Sequence, residues 1–279
     1  MSTTKNVDQA TVDGFGEEWS RFDQTPALDE LEAAFQLYFA CFPWEQLPAG
    51  AVGFDAGCGS GRWARFVAPR AGQLHLVDAS PKALEVAKRN CRELSNCTYH
   101  CASVADLPFA DESMDFGYSL GVLHHVPDTA GALSACVRKL KPGAPFLVYL
   151  YYAFDNRPSY YRAIWRASDL LRQRVSKLPL RTKHLVAEVI AGMVYFPLAR
   201  TALLAEWLGA DPERIPLHAY RRFSFYTMRT DALDRFGTRL EQRFTRDDVR
   251  ALMHDAGLER IRFVEDGAFW TAVGFKAAC

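Results

Sequence analysis

Short apolar runs alternate along the middle of the chain with stretches in which apolar residues recur every three or four positions. The runs predict strands at 51–55, 73–78, 97–102, 115–119 and 145–151, and the longer-period stretches predict helices at 61–68, 81–91 and 129–140. Strands and helices in strict alternation imply a parallel, doubly wound sheet with helices on both faces. Ahead of them, Leu28, Leu31, Phe35, Leu37, Tyr38 and Phe42 form the apolar stripe of a helix that Pro43 ends. Ser80-Pro81 opens the second helix of the alternating region, with Ser as cap and Pro at the first position. Near the end, Thr245 caps a helix to Ala256, Gly257 stops it, and strands follow at 258–265 and 270–276. The Asp266-Gly267 link makes that last pair antiparallel.

The first strand runs into the most informative segment, Val52-Gly53-Phe54-Asp55-Ala56-Gly57-Cys58-Gly59-Ser60-Gly61-Arg62. Gly57, Gly59 and Gly61 can take positive φ and carry no Cβ, so a ligand can approach bare backbone and its N–H groups where a helix begins at Arg62. A dinucleotide turn runs G-x-G-x-x-G and seats a pyrophosphate. This chain has G-x-G-x-G with Asp55 just before it, a carboxylate that repels a pyrophosphate and attracts an amino group.

Further segments follow in order: Leu74-His75-Leu76-Val77-Asp78, Ser103-Val104-Ala105-Asp106-Leu107-Pro108-Phe109, Asp115 through Val126, and Lys141-Pro142-Gly143 leading into the fifth strand. With the glycine turn, this set resembles the class I S-adenosylmethionine (SAM) dependent methyltransferases, over Ala51 to about Leu150. The nearest flavour is the broad subgroup that includes ubiquinone and menaquinone biosynthesis methyltransferases, which share the Leu123-His124-His125-Val126 style of loop. The resemblance implies a Rossmann-like, mostly parallel seven-stranded sheet with an antiparallel last strand, and SAM as cofactor. It implies that Asp55, Gly57, Cys58, Gly59 and Gly61 hold the amino-acid part, Asp78 and Ala79 the ribose, and Asp106 and Leu107 the adenine, with Leu120 completing the set. It also suggests an organisation of an N-terminal helical cap (1–50), a SAM-binding core (51–151), a helical insert over the acceptor (152–240), and a helix and strand pair completing the core (241–279).

Methyl transfer from a sulfonium needs position and desolvation more than covalent help. His124 and His125, after the fourth strand, are candidates for taking a proton from an attacking hydroxyl or ring carbon, or else pack and orient the loop. Tyr151 and Tyr152, at the end of the fifth strand, are alternative proton acceptors or wall residues, with Tyr152 also a candidate acceptor contact. Trp19 and Phe22 either close the site against water or staple the first helix to the sheet.

Seven cysteines, an odd number in a chain whose first residues lack the apolar core of a signal peptide, point to reduced thiols and a cytoplasmic location. Cys91, Cys97, His100 and Cys101 match no usual zinc spacing, so no metal is expected. A formal net charge of zero argues against a general nucleic-acid binder. The charge is uneven, however: residues 152–240 carry 15 Lys and Arg against 8 Asp and Glu, an excess of 15 − 8 = +7. Basic and apolar together suggest a lid over an acidic or lipophilic acceptor, peripheral contact with an anionic membrane, a homodimer interface, or a solvated face. Arg221 and Arg222, ahead of Phe223-Ser224-Phe225-Tyr226, are the candidate acceptor-binding pair. The longest uncharged run of that region, Val189 to Ala199, is 11 residues with Pro197 inside it, which predicts no transmembrane segment. The expected function is SAM-dependent methylation of a small or lipophilic acceptor at oxygen or an activated carbon. The alternatives are an NAD-dependent oxidoreductase and an inactive SAM-binding scaffold.

Overall fold

A computed structural model describes residues 6–22, 28–155, 158–264 and 270–278. The chain forms two compact units: Met1–Gln24 with Leu31–Asp155 and Leu240–Cys279, and Thr25–Glu30 with Asn156–Arg239.

The first unit holds one seven-stranded sheet, built from β1 (Val52–Ala56), β2 (Gln73–Asp78), β3 (Cys97–Cys101), β4 (Phe116–Leu120), β5 (Pro145–Leu150), β6 (Leu258–Phe263) and β7 (Trp270–Lys276). Their order is β3-β2-β1-β4-β5-β7-β6. The first five are mutually parallel, while β7 runs antiparallel to both β5 and β6. All seven strands therefore lie where the hydrophobic pattern puts them, within a residue or two. The Asp266-Gly267 turn lies outside the described residues. Side chains alternate between two cores because the strand period is two. Phe54, Phe146, Val148 and Ala272 join one core with Leu133, Cys136, Val249 and Met253, whereas Phe116, Tyr118, Leu147 and Val273 join the other with Phe35, Phe39 and Trp63.

The helices of this unit are α1 (Gln9–Arg21), α2 (Leu28–Tyr38) from Leu31 onward, α3 (Ala64–Val67), α4 (Pro81–Asn90), α5 (Thr129–Lys139) and, after the second unit, α10 (Arg246–Asp255). Ser80 caps α4 as expected, accepting from the Ala83 N–H, and Thr245 with Asp248 forms a reciprocal capping box on α10. Two expectations need correction. The helix placed at 61–68 shrinks to four residues, because Gly61 has φ +73° and cannot be helical. Such a short helix offers no N-terminal anion site. The second correction is α1, which the periodicity does not show: Gly14, Gly16, Thr11 and Val12 are poor helix formers. Tertiary packing compensates, since a Cβ on Gly16 would lie 2.4 Å from Ser80 Oγ, and Trp19 buries against Ala83 and Val86 of α4. Only a glycine permits that approach.

The second unit consists of α6 (Ser159–Val175), α7 (Leu180–Ile190), one turn of π-helix (Ala191–Tyr195), α8 (Phe196–Trp207) and α9 (Phe225–Gly237). Val175, Ala191, Tyr195, Ala199, Met228, Ala232 and Phe236 make its core. The buried Arg172 guanidinium donates to the Thr238 and Arg239 carbonyls, each at 3.0 Å, and pairs with Asp169 at 2.7 Å. The sequence pattern treats Pro197 as an interruption, but the helix is continuous from Leu180 to Trp207. The π turn just before Pro197 widens the backbone where the proline ring would otherwise strike a carbonyl one turn back. By length and composition alone, these 28 residues are apolar enough to cross a membrane, which corrects the estimate from the uncharged run.

Candidate functional site

Strand order reverses between β1 and β4, and open α/β sheets gather ligands at the carboxyl ends of the strands flanking such a switch. A cleft of about 790 Å³, part of it open to solvent, lies there. Its floor is Gly57, Cys58 and Gly59, one wall is Asp78, Ala79, Ser103 and Val104, and the other is Leu120, Gly121, Val122, His125 and Val126. Asn6, Asp8, Thr11, Phe15 and Trp19 from the N-terminal segment line it as well. Asn6 is clamped in place, its amide donating to the Asp128 carbonyl and its side-chain oxygen accepting from the Asp128 N–H, both at 2.6 Å.

The glycine turn works differently from the first expectation. The Gly57 and Cys58 N–H groups donate to the Val77 carbonyl at 2.8 and 2.9 Å, and Gly61 N–H donates to Cys58 O at 2.9 Å. These donors are consumed by the fold, so the glycines contribute φ and the missing Cβ rather than N–H groups. Gly57, Gly59 and Gly61 have φ of +85°, +53° and +73°. A Cβ on Gly59 would sit 2.9 Å from the Trp19 Nε1 and one on Gly57 2.4 Å from Val122. Gly61 instead packs against Cys91 and Ala87, behind the turn.

Asp78 ties the turn to β2. One carboxylate oxygen accepts the Gly59 N–H at 2.9 Å and the other the Ser80 N–H at 2.8 Å. Burial raises its pKa, and these two hydrogen bonds oppose the rise. A carboxylate offers about four lone-pair positions, so each oxygen can accept a further hydroxyl.

Asp55 lies behind the cleft wall, 1% exposed, with neither carboxylate oxygen hydrogen-bonded. Desolvation pushes its pKa to about 8, opposed by the neighbouring Tyr118 phenol, raised further by Asp78 and lowered by Arg62. The Tyr118 hydroxyl is close enough to act on the carboxyl but misses hydrogen-bond geometry, being itself unpartnered. Near neutral pH Asp55 is thus a neutral acid, not the standing anion that the sequence suggests.

The two histidines separate. His124 is fully buried, stacks on Tyr151 with ring centroids 3.8 Å apart, and has neither ring nitrogen hydrogen-bonded. Burial, then the charges of His125 and Arg243, hold its pKa well below the usual imidazole range. His125 lines the cleft against Phe15, and its Nδ1 lies 2.7 Å from the Leu240 carbonyl. A carbonyl only accepts, so Nδ1 carries the proton and Nε2 the lone pair of the neutral ring. Residues 240–244 hold this loop: Gln242 N–H donates to His124 O at 3.0 Å and Phe244 N–H to Tyr151 O at 2.9 Å.

Residues 54–148 match the family model described as a methyltransferase domain. The chain is 33% identical over 161 residues to a ubiquinone biosynthesis O-methyltransferase of Alkalilimnicola ehrlichii, covering 52% of this chain and 64%, less than two thirds, of that protein. With the enzyme of the same name from Dechloromonas aromatica it shares 30% identity over 214 residues, 70% of this chain and 90% of the relative. The chain belongs to the class I SAM-dependent methyltransferases. A solved SAM-dependent methyltransferase from Methanosarcina mazei has the same fold, with a TM-score of 0.50 at 16% identity over 84% of this chain and 96% of that one.

The methyltransferase family replaces the oxidoreductase alternative, and the antiparallel β7 weighs the same way. Its cofactor is SAM, and the cleft fits it. Gly57 and Gly59 let Val122 and Trp19 close on the turn where a Cβ would push them away, Asp78 has hydroxyl-binding capacity in reserve, and the buried Asp55 carboxyl behind the wall has no hydrogen-bond partner. Bound there, SAM supplies an electrophilic methyl group on a cationic sulfur.

Of the residues predicted from sequence, Gly57, Cys58, Gly59, Asp78, Ala79, Leu120, Trp19 and His125 come together at the methyltransferase cleft. Asp55, Gly61 and His124 stand behind it. Asp106 is exposed and outside the lining, and Leu107 is buried in the core beneath. The reason is a turn in which Ser103 accepts from the Ala105 and Asp106 N–H groups, so that Ser103 and Val104 face the cleft. Tyr152 pairs with Phe244 and packs its ring 4.4 Å from Phe154, away from the cleft lining. Arg221 and Arg222 share the Glu206 carboxylate within the second unit, at 3.0 and 3.1 Å, which accounts for the pair without an acceptor. Six described cysteines are free thiols. Among the described residues no cluster of three or more His, Cys, Asp or Glu is placed to hold a metal.

Arg62, Trp63, Val122 and the Asn6–Val12 segment are cleft residues that the sequence did not mark. Arg62 stacks its guanidinium over Trp19 and Trp63, 5.0 and 4.9 Å from their centroids. No local pattern announces the N-terminal segment, because it reaches the cleft from a distant part of the chain, whereas Arg62 and Val122 lie inside recognised segments that assign them no role.

Asp78→Ala removes the anchor of Gly59 and Ser80 together with the hydroxyl acceptor. Losing charged hydrogen bonds of about 1.5–3 kcal/mol should weaken SAM binding at least about tenfold. Calorimetry checks this, and an unchanged dissociation constant removes Asp78 from the site.

Proposed function

We propose that the chain transfers the SAM methyl group to a hydroxyl oxygen of a lipophilic, aromatic acceptor, with His125 taking the hydroxyl proton. The carrying observation is His125, a buried residue that lines the cleft with its tautomer set by the Leu240 carbonyl; its Nε2 is covered in this conformation and has to be uncovered for an acceptor hydroxyl to reach it. Nε2 is then the basic nitrogen, and proton abstraction from the attacking hydroxyl leaves an oxygen able to displace the sulfonium methyl in line. His124, neutral and packed 4.1 Å ring-to-ring against His125, positions it. Gly57 and Gly59 would seat the amino-acid part of SAM, Asp78 the ribose, and Ser103 with Val104 the adenine side. Phe15, Val122 and Val126 give the cleft an apolar lining suited to an aromatic ring. Relatives named as O-methyltransferases support oxygen over carbon as the methylated atom. A cytoplasmic location, as read from the sequence, is kept in this proposal.

The test uses SAM labelled at the methyl group with a panel of catechol-like acceptors, and with the same compounds blocked as methyl ethers. Mass spectrometry should show the label on oxygen in the free catechols alone. Label on ring carbon, or no transfer to any hydroxyl acceptor, overturns the proposal. His125→Ala should lower kcat about 10²–10⁴-fold while SAM affinity stays within about twofold, because a base acts in the transition state and not in cofactor binding. A native kcat removes His125 as the base.

A further inference from the structure

The second unit leaves a continuous apolar stripe uncovered. Along the Leu180–Trp207 helix, Leu185, Val189, Met193, Phe196, Leu204 and Trp207 are exposed, Leu185 at 62%, Met193 at 75% and Trp207 at 74%. Their spacing of three, four or eight residues keeps them on one side, over roughly 30 Å at 1.5 Å per residue. The other side is occupied: Ala187, Ala191, Tyr195, Ala199 and Ala202 are buried, α7 packs on α9, and Glu188 pairs with Arg229 of α9 at 2.6 Å. Spanning a bilayer would require stripping α9 away and exposing that ion pair to hydrocarbon. Lying in the plane of a membrane requires neither.

Charge selects the occupant. Arg162, Arg166 and Arg174 on α6, with Lys177 and Arg181 at the α6–α7 corner, are exposed and form no ion pair among the described residues. A second copy of this chain would bring a second set of like charges, carried on a region with an excess of 15 − 8 = +7. Anionic lipid headgroups are complementary to it. Interfacial helices combine these features: an apolar face for the acyl boundary, basic residues for the headgroups, and Trp or Tyr between them. We propose that the second unit docks on an anionic membrane surface through the exposed stripe of the Leu180–Trp207 helix, lying in the membrane plane. The proposal is independent of the acceptor chemistry above.

The test is co-sedimentation of the full chain with vesicles of phosphatidylcholine, alone or with roughly a third phosphatidylglycerol. The protein should pellet with the anionic vesicles, and raising salt to about 0.5 M should release much of it, since headgroup attraction is screened. Leu185→Asp with Met193→Asp should lower vesicle affinity about tenfold or more by placing charge where apolar surface must insert. Both side chains are exposed, so the double variant should keep the native melting temperature and SAM affinity. Equal pelleting of the double variant, or no pelleting with anionic vesicles, overturns the proposal. A wild-type dimer in sedimentation equilibrium that the double variant converts to monomer also overturns it, and assigns the stripe to a second copy.

Discussion

Gly59→Val abolishes SAM binding, by about a hundredfold or more in dissociation constant, or ~2.8 kcal/mol. Two effects add. Gly59 has φ +53°, which costs an ordinary L-residue about 1–2 kcal/mol and a β-branched one more. The new Cβ would also fall 2.9 Å from the Trp19 indole nitrogen, pushing the α1 roof off the turn and releasing the Gly59 N–H from Asp78. Cys58→Ala, one residue earlier, should bind normally, because the buried Cys58 thiol makes only a weak 3.9 Å contact with the Gly59 carbonyl. Gly50→Ala is the control: φ is +72° there too, but nothing lies within 4 Å of the added Cβ and the residue is outside the cleft. It should lower stability and leave affinity intact. Near-native calorimetric affinity of a folded Gly59→Val protein would show that the turn does not cradle the cofactor.

Asp55→Asn should stabilise the protein increasingly as pH rises. The folded chain holds the Asp55 proton up to about pH 8, whereas the ordinary value is 3.8. The stability linked to this carboxyl is therefore fully present below about pH 4 and is lost as pH climbs through 8, with a slope of up to about 1.4 kcal/mol per unit. Asp78 is displaced in the same direction, so it adds to the trend. Asparagine keeps the shape and cannot ionise. Denaturant unfolding of both proteins between pH 5 and 9 should show the variant's advantage widening with pH. A difference that stays constant, or narrows, refutes the buried neutral acid. A corollary concerns the cofactor: a cation placed near Asp55 favours its ionised form, so SAM binding near pH 7 should release a proton. Calorimetry in buffers of different ionisation enthalpy reads that release directly.

Local patterns determined much of this protein. Short apolar runs placed the strands, because strands buried on both faces are apolar on both, and Ser80 and Thr245 marked helix starts through hydrogen bonds made within three residues. The glycine triplet and the acids at the ends of β1 and β2 marked the site, since turns with positive φ and strand-end carboxylates are written in a few adjacent residues. What the sequence could not settle depends on partners far along the chain. Helix α1 forms despite two glycines because Gly16 lets it press on Ser80. The consumption of the glycine N–H groups follows from Val77 and Asp78 on the neighbouring strand. His125 is separated from His124 by a carbonyl at Leu240, and Asp106 turns outward because Ser103 closes its own hydrogen-bonded turn. Pro197 stays helical because a π turn absorbs the clash, and only then do Leu185 and Met193 on one side of it share an exposed face with Leu204 and Trp207 on the other. Local hydrogen bonding and periodicity are legible residue by residue, whereas burial and long-range pairing exist only after the chain has closed on itself.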